Sequence, residues 1–381
     1  MKLKIVLDDN IPHAQEIFES FGSLASLPGR KINNEDLKEA DALIIRSVTN
    51  VDGKLLQNTA IKFVGTCTIG TDHVKEKELQ DANVHFCSAP GCNAQSVAEY
   101  VLCALLDFAH KTNTKLKGKS IGIVGVGNVG TLVAKYAEQL EMKVFLNDPP
   151  RQRKGDALTF VSFAEILSCD FITLHVPLYK QGADKTHYLI NSDILSKMKP
   201  SAVIINTCRG SVVNNNDLKV ALQKKTIQAA ILDVWENEPT IDKELFDLCF
   251  IGTPHIAGYS YDAKIRGSTM IAEKIAAFFH LPMPNYGQIG KPEITSFSLP
   301  KLQGDDEERL KLLCNLFYDP RADHVFLKEA LSSVNSGENF DNLRKKYRKR
   351  REFQVVSLEY QSGVFNEPLA NKLKNLQFKK L

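Results

Sequence analysis

Apolar positions along this chain follow two alternating rhythms. Some fall in short unbroken runs; others recur every three or four residues over longer stretches. Short runs bounded by polar or glycine-containing segments predict strands buried on both faces, and the spaced stretches predict helices laid on a sheet. Strands are expected at Leu3 to Leu7, Ala42 to Ile45, Lys62 to Gly65 and Val84 to Phe86, with a helix over Pro12 to Phe21. A longer helix is expected over Ser96 to Phe108, where Val97, Tyr100, Val101, Ala104 and Leu105 share a face. Polar residues from Lys111 to Lys119 lead to the run Ile121 to Val124. There follow a helix with Val129, Leu132, Val133, Tyr136 and Leu140 on one side, and a strand at Met142 to Asn147. The pattern repeats through strands at Phe171 to His175, Ala202 to Asn206, Ala229 to Leu232 and Phe250 to Gly252, with helices at Asn191 to Met198 and Asp217 to Lys224. Strands alternating with helices indicate an α/β chain with parallel, wound sheets.

Past Leu281 the texture changes. Leu281-Pro282-Met283-Pro284-Asn285-Tyr286-Gly287 has the composition of a linker. A helix is expected near Asp306 to Phe317, a basic helix near Phe340 to Lys349 and a strand near Phe353 to Leu358. These form a separate small α+β domain over residues 286–381.

Composition narrows the picture little, but it excludes some classes. A chain of 381 residues needs two or three cores. A net charge of +3 gives no reason to expect a nucleic acid or a membrane surface as partner. No apolar run reaches membrane-spanning length, and the first residues enter a strand rather than a signal sequence. The 8 cysteines are scattered, with no spacing that suits a disulfide framework or a metal, so a cytoplasmic protein without a metal site is expected.

The chemistry centres on Gly125-Val126-Gly127-Asn128-Val129-Gly130, set between a strand and a helix. In that context Gly125 permits a tight turn, Gly127 lets backbone approach a pyrophosphate, and Gly130 lets the helix pack close to the strand. The helix N-terminus offers free N–H groups to phosphate, and Asp148 at the next strand's end can accept hydrogen bonds from a ribose diol. An acid there disfavours a 2′-phosphate, so NAD is expected rather than NADP; Arg151 nearby is the feature that would argue otherwise. Three further polar residues stand at successive strand ends: Arg209 after Ile204 to Cys208, Glu238 after Asp233-Val234-Trp235, and His255 after Thr253-Pro254. Dehydrogenation of a hydroxyl-bearing carbon needs a base such as histidine, a carboxylate to orient the imidazole and stabilise its protonated form, and a cation to grip a carboxylate substrate.

The motifs Gly-Val-Gly-Asn-Val-Gly, Asn-Thr-Cys-Arg-Gly, Asp-Val-Trp-Glu-Asn-Glu-Pro and Thr-Pro-His-Ile-Ala-Gly occur in that order. Together they resemble the D-isomer-specific 2-hydroxyacid dehydrogenases over about residues 1 to 280. The resemblance implies an NAD-binding Rossmann domain at 95–257 and a split substrate domain at 1–94 and 258–285, followed by an α+β dimerisation domain at 286–381. It gives Arg209, Glu238 and His255 the catalytic roles. Gly125, Gly127, Asn128, Val129, Gly130, Asp148, Val176, Thr207, Cys208, Arg209, Asp233 and Gly258 become cofactor contacts, Asp233 as the acid on the carboxamide side. The segments Arg46-Ser47-Val48-Thr49, Thr66-Cys67-Thr68-Ile69-Gly70 and Gly258-Tyr259, with the tail, resemble a branch of the family acting on a phosphorylated 2-hydroxy acid. By that likeness Ser47, Thr68 and Tyr259 contact substrate, and the tail forms a homodimer. Arg46 and Ser47 are the nearest candidates for the phosphate, and the run Arg344 to Arg351 is a second source; Arg344 or Arg350 could reach a partner's crevice. Two other readings stay open: a dehydrogenase of 3-phosphoglycerate, and an NAD-sensing transcriptional co-repressor.

Overall fold

The computed structural model describes residues 2–287, 289, 296–298, 304–355, 357–359 and 367–380. The chain forms two compact units, Met1–Asn93 with Tyr259–Glu293, and Ala94–Gly258 with Ile294–Leu381. Of the expected tail domain, residues 290–295, 299–303 and 360–366 lie outside the described residues, as does residue 356 of the expected strand at 353–358.

The first unit is built on strands β1 (Leu3–Asp8), β2 (Gly22–Leu27), β3 (Ala42–Ile45), β4 (Phe63–Thr66) and β5 (His85–Cys87). They are parallel, in the order β2-β1-β3-β4-β5. All four residues of β3 and of β4 are buried, as unbroken apolar runs require of a sheet covered on both faces. One face packs Leu3, Ile5, Phe18, Phe63 and Ile271; the other packs Val6, Leu43, Ile45, Val64 and Leu79. The helix Tyr261–Phe279 returns to this unit, started by Ser260, whose hydroxyl accepts the Ala263 N–H at 2.9 Å. Strand β2 is an edge strand of partly exposed residues, and its Gly-Ser-Leu-Ala-Ser-Leu composition hid it from the sequence pattern.

The second unit carries β6 (Ser120–Val124), β7 (Lys143–Asn147), β8 (Phe171–Leu174), β9 (Val203–Asn206), β10 (Ala229–Leu232) and β11 (Ile251–Gly252). These are again parallel, in the order β11-β10-β9-β8-β6-β7. Chain order reverses between β6 and β8, and open α/β sheets bind ligands at such a switch point, beyond the strands' carboxyl ends. The tail does not stand apart from this unit. Leu327, Leu331 and Phe340 share a core with Trp235 and Phe246. His324 stacks on Phe246 at 4.8 Å, and its Nδ1 accepts the N–H of Gly252 on the edge strand β11. The expected basic helix is also displaced: the helix is Ser336–Lys345, and the remaining basic residues follow it as irregular backbone.

Candidate active site

In the second unit β6 leads directly into Gly125, whose φ is +87°. A Cβ at Gly125 would lie 2.6 Å from the His175 carbonyl oxygen, and one at Gly130 would lie 2.1 Å from the Gly125 oxygen. Those two positions therefore exclude any side chain. A Cβ at Gly127 would meet nothing within 4 Å. Gly127 and Asn128 are exposed, and no side chain caps the helix Asn128–Gln139 that they start. Open backbone N–H groups at this helix end suit a pyrophosphate.

Asp148 directly follows the strand β7. Its Oδ2 accepts the Val126 N–H at 2.8 Å and its Oδ1 the Arg151 N–H at 3.0 Å, so the carboxylate is fixed beside the glycine loop. It remains partly exposed, and each oxygen keeps a lone pair for a ribose hydroxyl. Arg151 is spoken for: its Nε and Nη2 both donate to Asp156, at 2.8 and 2.5 Å, and Nη1 donates to the Val126 carbonyl. Val176 stands against Gly125, its Cγ1 2.8 Å from where a Cβ would be. His175, which the sequence reading left without a role, lies between Thr173 and Thr207 and bonds both hydroxyls, at 3.0 and 3.3 Å. Burial pushes its imidazole down to about 3, so it is neutral.

Beyond β9, buried Asn206 ties the turn that presents Arg209. Its side chain donates to the Arg209 carbonyl at 2.9 Å and accepts the Cys208 N–H at 3.1 Å. Arg209 is partly exposed, with Nη1 donating to the Cys208 carbonyl at 2.7 Å. Gly210 allows this turn to abut the Trp235 backbone, where a Cβ would sit 2.0 Å from the carbonyl oxygen.

Glu238 and His255 meet. His255 Nδ1 lies 2.8 Å from Glu238 Oε2, and Glu238 Oε1 accepts the Trp235 N–H at 2.8 Å. A carboxylate can only accept, so Nδ1 carries a proton and Nε2 is left as the reactive nitrogen. Burial pushes the Glu238 carboxyl up, but His255, the Arg344 guanidinium and the Trp235 N–H outweigh it and hold the group below its ordinary value. His255 has φ of +56°, a left-handed conformation that costs a non-glycine residue about 1–2 kcal/mol. Asp233 holds the loop in it. Its Oδ1 accepts from Thr253 Oγ1 at 2.6 Å and the Ile256 N–H at 2.8 Å, and its Oδ2 accepts the Ala257 N–H at 2.9 Å. Only 1% exposed, Asp233 is spent on backbone it shares with His255. Gly258 closes this loop and is partly exposed.

The first unit presents its own polar cluster at strand ends. Arg46, after β3, is 8% exposed; its Nη1 has no hydrogen-bond partner, and its guanidinium lies 5.8 Å from the Tyr259 ring. Ser47 beside it is exposed. Thr68 Oγ1 lies 2.7 Å from Thr66 Oγ1. The sequence reading missed Asp8, at the end of β1, which is fully buried with Oδ2 unpartnered. Burial pushes this carboxyl up, against the Asn10 hydrogen bonds and the Arg46 charge. An acid closing a buried apolar strand was the available signal.

The run Arg344 to Arg351 is corrected in two respects. Arg350 does not reach out over another subunit's crevice: it is 2% exposed within its own unit, where it donates to Ala257 and Ser96. Arg344 is mostly buried, its Nη1 3.8 Å from Asp341, and its charge acts on Glu238. Among the described residues no three His, Cys, Asp or Glu side chains are grouped to hold a metal ion, and no helix is long and apolar enough to cross a membrane.

Known proteins resemble the chain in three ways. The family described as D-isomer specific 2-hydroxyacid dehydrogenase, NAD binding domain, matches residues 104–257, and a domain of unknown function matches residues 289–376. The erythronate-4-phosphate dehydrogenase of Klebsiella pneumoniae (strain 342) is 42% identical over 369 residues, covering 94% of each chain. That of Salmonella arizonae is 42% identical over 366 residues, covering 93% of each. Among solved structures, an NAD-dependent formate dehydrogenase from Staphylococcus aureus in complex with NAD superposes with TM-score 0.62 at 25% identity, covering 74% of this chain and 98% of that one. A D-lactate dehydrogenase from Aquifex aeolicus complexed with NAD and lactic acid gives TM-score 0.61 at 25% identity over 72% and 95%.

Proposed function

The chain belongs to the erythronate-4-phosphate dehydrogenases, within the D-isomer-specific 2-hydroxyacid dehydrogenase family, and we propose the chemistry of that name for it. The reaction is NAD-dependent oxidation of 4-phospho-D-erythronate to 3-hydroxy-2-oxo-4-phosphobutanoate, a step in making pyridoxal 5′-phosphate (vitamin B6). The observation that carries the reading is the His255–Glu238 pair at 2.8 Å, which leaves Nε2 free to act as a base. His255 takes the proton from the substrate's 2-hydroxyl as the carbonyl forms. Glu238 holds the tautomer and stabilises the imidazolium. Arg209 grips the substrate carboxylate and polarises the developing carbonyl oxygen.

Gly125, Gly127, Asn128, Val129 and Gly130 would hold the NAD pyrophosphate and Asp148 its ribose, with Val176, Thr207, Cys208, Arg209, Asp233 and Gly258 as further contacts. Open space at Gly127 and the uncapped helix fit that group. When bound, NAD accepts the hydrogen and two electrons leaving the carbinol carbon. On the substrate side Ser47, Thr68 and Tyr259 are assigned as contacts, and Arg46 as the cation for the phosphate. A buried guanidinium nitrogen with no partner supports that assignment.

The tail is assigned to homodimer formation. Leu312, Leu316, Val325 and Phe326, on adjacent tail helices, are each 46–52% exposed, an apolar surface that a second copy would cover. Sedimentation of the full-length chain carrying Leu316→Asp and Phe326→Asp tests this: it should be monomeric where the parent is dimeric, and an unchanged dimer would remove this surface from the interface. The protein is assigned to the cytoplasm. The activity is tested by NADH formation with 4-phosphoerythronate, against 3-phosphoglycerate as the competing substrate.

A further inference from the structure

Two of the three points at which the chain passes between its units are Asn93–Ala94 and Gly258–Tyr259. Beside each of these two lies a backbone carbonyl bound by one side chain from the tail. Arg350 donates from Nη2 to the Ser96 carbonyl at 2.6 Å and from Nη1 to the Ala257 carbonyl at 3.1 Å. The guanidinium is sandwiched within its own unit, 3.6 Å above the Tyr318 ring and 3.8 Å from the buried Glu99 carboxylate. Its bed is itself fixed. Tyr318 donates to Asp323 at 3.1 Å, and Glu99 Oε1 accepts from Gln95 at 2.8 Å and from the Phe353 N–H at 2.8 Å.

Ala257 is close in sequence to His255, and both of its backbone polar groups are taken. Asp233 holds its N–H, and Arg350 holds its carbonyl. His255 projects from a left-handed backbone that must be held in place. A planar fork presents two N–H groups to two diverging carbonyls in a fixed geometry, which an ammonium on a flexible stem does not preset.

We propose that Arg350 is a positioning residue of the reaction: by tying Ala257 to Ser96 it fixes the loop from which His255 acts, which makes the tail part of the catalytic machinery of its own chain. The proposal rests on the reading of His255 as the acid/base.

The test is Arg350→Lys in the full-length protein. It keeps a positive charge beside Glu99 but loses the fork. NADH affinity, read by fluorescence, should stay near the wild-type value. The kcat should fall about tenfold to a hundredfold with little change in KM, as a loop misplaced by an ångström predicts. The His255 imidazole resonances, identified by their loss in His255→Ala, should broaden or split. Should Arg350→Lys not fold, the double variant Glu99→Gln with Arg350→Gln removes both partners of this ion pair together and should show the same loss. Wild-type kcat with an unaltered His255 spectrum in either folded variant overturns the proposal, as does a kcat loss that is matched by an equal loss of NADH affinity. A wild-type enzyme inactive on 4-phosphoerythronate would refute the substrate reading instead, and the His255 spectrum would still report on Arg350.

Discussion

Replacing Glu238 with glutamine changes little in shape and much in chemistry. Glu238 serves two donors, with Oε1 toward the Trp235 N–H and Oε2 toward His255 Nδ1. A glutamine must keep its oxygen on the backbone N–H, so its amide NH₂ turns toward His255. Nδ1 then has to accept, and the ring proton moves to Nε2, the nitrogen that should take the substrate proton. A wrong tautomer of this kind costs kcat about a thousandfold or more. The lost charge adds a second effect. For charge centres about 4 Å apart the attraction is about 4 kcal/mol at an effective dielectric of about 20. The side chains are 31% and 20% exposed, and solvent screening reduces this to about 1–3 kcal/mol. That loss adds to the fall in kcat/KM. In the parent enzyme the Glu238 carboxyl lies below its ordinary value, so its ionised pairing is complete above the ordinary carboxylate range. That pairing is lost only as pH falls through the depressed value. Steady-state kinetics across pH, with nitrogen NMR of the labelled imidazole, reads both effects. An unchanged kcat/KM together with the parent tautomer in Glu238→Gln would refute the reasoning.

Three other outcomes follow. Because Arg151 is engaged by Asp156 and the Val126 carbonyl, NADP should give a kcat/KM at least about tenfold below that of NAD, and equal values would contradict the assignment of Asp148. Gly127→Ala should melt with the parent protein yet bind NADH about tenfold more weakly, while Gly130→Ala, whose Cβ would meet backbone at 2.1 Å, should lose about 1–3 kcal/mol of stability; equal melting curves for both would be wrong. Arg46→Met should cost about 2–4 kcal/mol in kcat/KM with 4-phosphoerythronate and much less with erythronate, and equal losses on both would remove Arg46 from phosphate recognition.

How much of this was legible depended on whether a residue's partners lie near it in sequence. Strands such as β3 and β9 announce themselves because burial on both faces demands unbroken apolar runs. The glycine loop is equally plain, since the backbone conformation at Gly125 and the crowding at Gly130 are local demands. Strand β2 and the helix Pro320–Leu331 were not visible. The first is a half-exposed edge, and the second is amphipathic against a core supplied by distant residues such as Phe246. Charge misled most. A run of eight residues rich in arginine and lysine reads as a source of phosphate contacts for a partner's crevice, yet Arg350 is enclosed by Glu99, Tyr318 and two carbonyls from remote segments. Asp233 could be placed near the site from its motif, but not its service to the Ile256 and Ala257 N–H groups.

The central claim is that His255, paired with Glu238, removes the hydroxyl proton as 4-phosphoerythronate is oxidised. A single-turnover experiment, mixing the enzyme–NAD complex with 4-phosphoerythronate and following nicotinamide absorbance, tests it most directly. Near-stoichiometric NADH from the parent protein is expected, with none on the same timescale from a His255→Ala variant that still binds NAD. NADH formed equally fast by both proteins, or by neither, would contradict it.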